Sequence, residues 1–123
     1  MGEMGKRIFV VDDERIIADT LVVILRQCGH EASAFYEART ALAQAEVSSP
    51  ELIISDVIMP GMSGVEMAIL MRERFPTCRI LLFSGNVGTI DLLELGRRQG
   101  YNFELLAKPI YPGDLLAKIA DVQ

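Results

Sequence analysis

Asp12, Asp13, Asp56, Ser84 and Lys108 are the residues of this chain that could do chemistry together, because each follows an apolar run. Ile8 to Val11 leads into Asp12 and Asp13, Leu52 to Ser55 into Asp56, and Ile80 to Phe83 into Ser84. Leu105 to Ala107 leads into Lys108, which precedes Pro109. If these runs are parallel strands of one sheet, all five side chains arrive at its carboxyl edge, where open α/β sheets bind ligands. Carboxylates facing a lysine and a hydroxyl suit a divalent cation and a phosphoryl group.

The elements that must position these residues follow from periodicity. Apolar runs predict strands at residues 7–11, 52–55, 79–83 and 103–107, and a short second strand falls at 31–35. Between them lie helix-period segments. The first starts near Asp13 or Glu14, carries Ile16, Ile17, Thr20, Leu21, Ile24 and Leu25 at spacings of three and four, and stops at Gly29. Further helices are predicted at 37–47, at 65–75 before Pro76, at 89–99 before Gly100, and at 111–122. Thr89 or Gly88 stands near the cap of the fourth. Leu115, Leu116, Ile119 and Ala120 form the buried side of the last. Residues 59–64, Met-Pro-Gly-Met-Ser-Gly, form a loop just after Asp56. Five β-α units predict a doubly wound α/β fold with a five-stranded parallel sheet. The flavodoxin-like order 2-1-3-4-5 fits best, since the first, third and fourth strands are the most continuously apolar.

Composition bounds the rest. The 123 residues suffice for one domain, expected to span 1–123 with an ordered core at about 6–122 and no effector domain. A net charge of -5 argues against non-specific nucleic-acid binding. Cys28 and Cys78 lack metal-site spacing and read as buried thiols. No stretch has transmembrane length, and the N-terminus lacks a secretory apolar region, so a cytoplasmic protein without membrane contact is expected. His30 follows Gly29 at a helix end and receives no catalytic role, while Met67 and Met71 are assigned to the core.

With Val10-Val11-Asp12-Asp13-Glu14, the run from Asp56 to Gly64, Ser84-Gly85 and Lys108-Pro109 in register, the chain resembles the receiver domain of two-component response regulators. The resemblance implies a domain that accepts a phosphoryl group from a histidine kinase onto an aspartate and so changes its affinity for a partner. It makes Asp56 the nucleophile and phosphoacceptor. Mg2+ would be held by Asp13, Asp56 and the Ile58 backbone carbonyl, with Asp12 binding through water. Lys108 would pair with a phosphoryl oxygen, Ser84 would donate to another, and a cis Lys108–Pro109 bond would aim the lysine inward. The implied partners are a sensor histidine kinase or histidine phosphotransfer protein, approaching by the first helix and the β-α loops, and an output protein of unknown identity. Output would use the face of the fourth helix, fifth strand and fifth helix, where Arg97 and Arg98 could meet an acidic partner. No direct nucleic-acid contact is implied, and the domain would be a monomer or a phosphorylation-dependent dimer. It would act only on itself, through self-phosphorylation and self-dephosphorylation, and would not be an enzyme.

Blander readings stand beside these. Asp12, Asp13 and Glu14 could simply be acids favoured at a helix N-terminus. Ser84 before Gly85 could be a turn residue, and Lys108 a solvated charge; their company argues otherwise. Many receivers carry Tyr or Phe three residues before the lysine as a switch, and here that position is Leu105, with Phe103 the nearest aromatic upstream. The readout then runs through a repacked Leu105 or through the loop after Ser84, where Gly85 gives backbone freedom and Asn86 would border the hydrolytic water. Two other classes stay open: a non-cycling receiver-like interaction module, and a small Mg2+-dependent phosphatase, which the absence of a second carboxylate two residues after Asp56 disfavours.

Overall fold

Residues 5–85 and 89–120 are described by the computed structural model. The strands are β1 (Arg7–Val11), β2 (Glu31–Phe35), β3 (Leu52–Asp56), β4 (Arg79–Ser84) and β5 (Glu104–Ala107). They alternate with α1 (Arg15–Gln27), α2 (Ala38–Val47), α3 (Gly64–Arg74), α4 (Thr89–Arg98) and α5 (Pro112–Ala120). The sheet is parallel throughout, in the order β2-β1-β3-β4-β5. β3 is buried at every position, which explains why its sequence is a continuous run without alternation.

Alternate residues of the central strands feed two cores. Ile8, Val10, Ile54 and Leu81 face α1 and α5, while Phe9, Val11, Ile53 and Leu82 face α2 and α3. Met67 and Met71 are fully buried in the second core. Among the described residues, no helix is long and apolar enough to cross a membrane.

The strand register does the positioning. Val11 pairs with Ser55, Asp56 with Phe83, and Ser84 with Ala107. Asp12 therefore emerges beside Asp56, Ser84 one step beyond, and Lys108 one step beyond that. α3 then returns over the edge because Ser63 caps it: the Ser63 hydroxyl accepts from Glu66 N–H at 3.1 Å, and the Glu66 carboxylate accepts from Ser63 N–H at 3.0 Å.

Four sequence expectations are corrected. The face of α1 that enters the core is Ala18, Leu21, Val22 and Leu25. Ile16 is 82% exposed and Thr20 is exposed, because they lie round the helix from the sheet. In α5, Leu115 and Ile119 are buried one turn apart, whereas Ala120 is rotated past the sheet and exposed. Cys28 is exposed: it ends α1 through its backbone N–H, and Gly29, at φ +91°, turns the chain away before the thiol can enter the core. Cys78 is buried as expected, and burial pushes its thiol up to about 11. β5 begins at Glu104, leaving Phe103 in the preceding loop, stacked parallel on Tyr101 with ring centroids 5.7 Å apart. Asn86, Gly88 and Val122 lie outside the described residues.

Candidate functional site

At the carboxyl edge, Asp12 is fixed from both sides. Its N–H donates to the Phe35 carbonyl at 3.0 Å, and its Oδ1 accepts from Glu14 N–H at 2.9 Å. The side chain is fully buried, yet Oδ2 has no hydrogen-bond partner among the described residues. Asp56, at the end of β3, is 6% exposed. Its carbonyl accepts from the Ser55 hydroxyl at 2.9 Å, and Gly64 N–H donates to the Val57 carbonyl at 2.8 Å. That second bond brings Gly64 so close that a Cβ there would stand 2.1 Å from the Asp56 carbonyl oxygen. A glycine is what lets α3 begin against the candidate acceptor.

Lys108 follows β5, and its peptide bond to Pro109 is cis. Its Nζ donates to Asp56 Oδ2 at 3.1 Å and lies 3.7 Å from Asp12 Oδ2 and 3.8 Å from Glu14 Oε1. Burial works against the ammonium, but the bond to Asp56 and the charges of Asp12, Asp56 and Glu14 outweigh it and raise its pKa. The Asp12 pKa is raised as well, which for a carboxylate favours the neutral form. Burial, aided by Asp56 and Asp13 and opposed by the Glu14 N–H and Lys108, pushes it from 3.8 to about 6.

Beside the buried Asp12 lies one hollow of about 650 Å³, lined by Asp13, Glu14, Asp56, Ile58, Ser84, Gly85 and Lys108. Carboxylate oxygens of Asp12, Asp13 and Asp56 all lie within 4.8 Å of one another. A single ammonium cannot neutralise them. Crowded carboxylates, one oxygen of which is buried without a hydrogen bond among the described residues, fit a hard cation that takes oxygen ligands.

The structure thus brings Asp12, Asp13, Asp56, Ile58, Ser84, Gly85 and Lys108 together at one edge. It does not bring Leu105 there: Leu105 pairs with Leu82 in the sheet, is 42% exposed and stands clear of the hollow. Arg97 and Arg98 each face Glu94 of their own helix, at 3.5 and 3.9 Å, as a solvated helix face does. Glu14 and Gly64 belong to the site and were missed. Both stand inside the runs that carry the resemblance, but neither was given a role of its own.

Residues 8–120 match the family described as response regulator receiver domain. This chain belongs to that family. Receiver domains act as phosphoacceptors in two-component signal transduction. The chain is 29% identical over 119 residues to the DNA-binding response regulator MtrA of Mycobacterium tuberculosis, covering 97% of this receiver domain and 51% of MtrA. It spans about half the length of the curated relatives it matches. Among solved structures, the chemotaxis protein CheY4 of Vibrio cholerae superposes with a TM-score of 0.82 at 28% identity, covering 98% of this chain and 100% of that one. A CheY-like receiver domain protein from Methanospirillum hungatei gives 0.83 at 27% identity, covering 95% and 92%.

Proposed function

We propose that Asp56 accepts the phosphoryl group from a phosphohistidine of a sensor histidine kinase or histidine phosphotransfer protein. The observation that carries this is the Lys108 ammonium hydrogen-bonded to Asp56 inside a hollow of three converging carboxylates. Asp13, Asp56 and the Ile58 carbonyl would hold Mg2+, with Asp12 reaching it through water. Bound there, Mg2+ supplies the positive charge that lets a carboxylate approach an anionic phosphoryl group. An Asp56 carboxylate oxygen attacks phosphorus, the P–N bond of the donor breaks, and the electron pair leaves with the imidazole. Lys108 transfers its hydrogen bond from Asp56 Oδ2 to a phosphoryl oxygen, a point contact that a compact ammonium makes well. The Ser84 hydroxyl donates to a second phosphoryl oxygen. The domain acts on itself only, and loss of the phosphoryl group to water resets it.

The donor protein docks in an apolar groove of about 400 Å³ between Ile16, Ile17 and Thr20 of α1 and Pro109, Ile110 and Pro112. Lys108 lines both this groove and the hollow, so a surface seated in the groove reaches the phosphoryl site. The outward-facing Ile16 has a reason to be apolar in that setting.

Intact mass after incubation with Mg2+ and a small phosphodonor tests the proposal. The wild-type chain gains one phosphoryl mass, stable in acid, and Asp56→Asn gains none. No gain in the wild type favours a non-cycling interaction module, and a gain that persists in Asp56→Asn assigns the nucleophile elsewhere.

A further inference from the structure

Glu14 occupies the N-cap of α1 with extended backbone, φ -83° and ψ 102°, where a side-chain oxygen usually accepts from the first turn's N–H groups. Its carboxylate makes no such bond, and the first turn of α1 holds no other acid. The side chain instead reaches back over the hollow, with Oε1 3.8 Å from Lys108 Nζ. The residue is pinned there because its own N–H donates to the buried Asp12 Oδ1. Lys108 therefore faces two buried carboxylates below it and one carboxylate, 64% exposed, at the mouth.

We infer that Glu14 is a specificity-determining residue for the phosphodonor: a rim carboxylate that positions Lys108 and discriminates against small, highly charged anionic donors. The inference rests on the phosphoacceptor reading of Asp56. Glu14 lines the hollow, so its charge raises the barrier to an entering anion in proportion to the donor's charge. A phosphoprotein seated in the α1 groove gains apolar contact that a small donor lacks, and this contact offsets the same repulsion. Glu14 thereby favours transfer from proteins over capture of free acyl phosphates.

Two small donors separate charge from everything else. An acyl phosphate is a dianion near neutral pH, and phosphoramidate carries one net negative charge. In either case an Asp56 oxygen–phosphorus bond forms as the donor's own bond breaks, releasing a carboxylate or ammonia. A unit charge roughly 7 Å from the phosphoryl group, in a water-like dielectric at low salt, alters the rate by about two-fold per donor charge.

The experiment measures phosphorylation rates of the wild-type chain, Glu14→Gln and Glu14→Asp with acetyl phosphate and with phosphoramidate, each with saturating Mg2+. At low ionic strength Glu14→Gln should gain about four-fold with acetyl phosphate and about two-fold with phosphoramidate. The difference should vanish near 1 M salt, where screening reaches about 3 Å. Glu14→Asp, which keeps the charge, should retain most of the wild-type discrimination. Equal changes with both donors, or a change that salt does not touch, overturn the inference while leaving Asp56 as acceptor. A wild-type chain that takes a phosphoryl group from neither donor overturns the Asp56 reading and this inference with it.

Discussion

Asp12→Asn should stabilise the metal-free protein at neutral pH and do nothing at pH 4. Asp12 is fully buried, with one carboxylate oxygen lacking a hydrogen-bond partner, and its pKa rises from 3.8 to about 6. The folded chain therefore binds this proton more tightly than the unfolded chain does. Between about pH 4 and pH 6 the native state carries more protons, so stability falls as pH rises through that window and stays low above it. At about 1.4 kcal/mol per pKa unit, the ionised Asp12 costs about 3 kcal/mol at pH 7. Asparagine keeps an oxygen for the Glu14 N–H and carries no charge. For a domain of this size the difference amounts to about 10 °C in Tm. The assay is thermal unfolding of both proteins in chelator from pH 4 to 7.5, with the difference between them isolating Asp12 from other carboxylates. Saturating Mg2+ should stabilise the wild type more than the variant and narrow the gap. A gap that is independent of pH, or a variant less stable than wild type at pH 7, refutes the reasoning.

Three further substitutions probe the parts of the site separately. Lys108→Ala should still take a phosphoryl group, more slowly, while losing the phosphorylation-induced amide shifts around β4; a full set of wild-type shifts counts against the lysine's role. Gly64→Ala places a methyl against the Asp56 backbone carbonyl, which cannot yield as a side chain can. It should cost about 3 kcal/mol in urea unfolding, and a loss under about 1 kcal/mol would show that α3 shifts easily. Leu105→Ala removes a side chain that is 42% exposed and should cost less than about 1 kcal/mol. A loss above about 2 kcal/mol would mean that Leu105 is packed beneath α4 after all.

Much of this was readable beforehand because the signals were local. A run such as Leu52 to Ser55, without alternation and bounded by Pro50 and the 59–64 loop, suits a strand covered on both faces, which puts a carboxylate at its end on the sheet edge. The register that joins Asp12 to Asp56 then follows from parallel pairing. The direction of α1 was harder to read. Ile16 and Ile17 are adjacent apolar residues, so the first turn offers two stripes, and only the position of the sheet decides which is buried. Ser63 was placed in the loop, yet with Glu66 three residues on it forms the capping pair that starts α3. Gly64 gave no local sign, since its need for a missing Cβ arises from a backbone carbonyl eight residues earlier. Glu14 looked like a helix-start acid because sequence cannot show that Lys108, far along the chain, draws the carboxylate away from the helix. Leu105 depended likewise on where α4 lies over the sheet edge.

The account depends on one arrangement: a phosphoryl group on Asp56, a cation between Asp13 and Asp56, and Lys108 on the far side. A crystal structure with Mg2+ and beryllofluoride, which mimics a phosphoryl group on a carboxylate, tests it directly. It should place beryllium on an Asp56 oxygen, magnesium on Asp13, Asp56 and the Ile58 carbonyl, and the Lys108 ammonium and Ser84 hydroxyl on separate fluorides. Beryllium on any other residue, or magnesium bound away from Asp13 and Asp56, contradicts it.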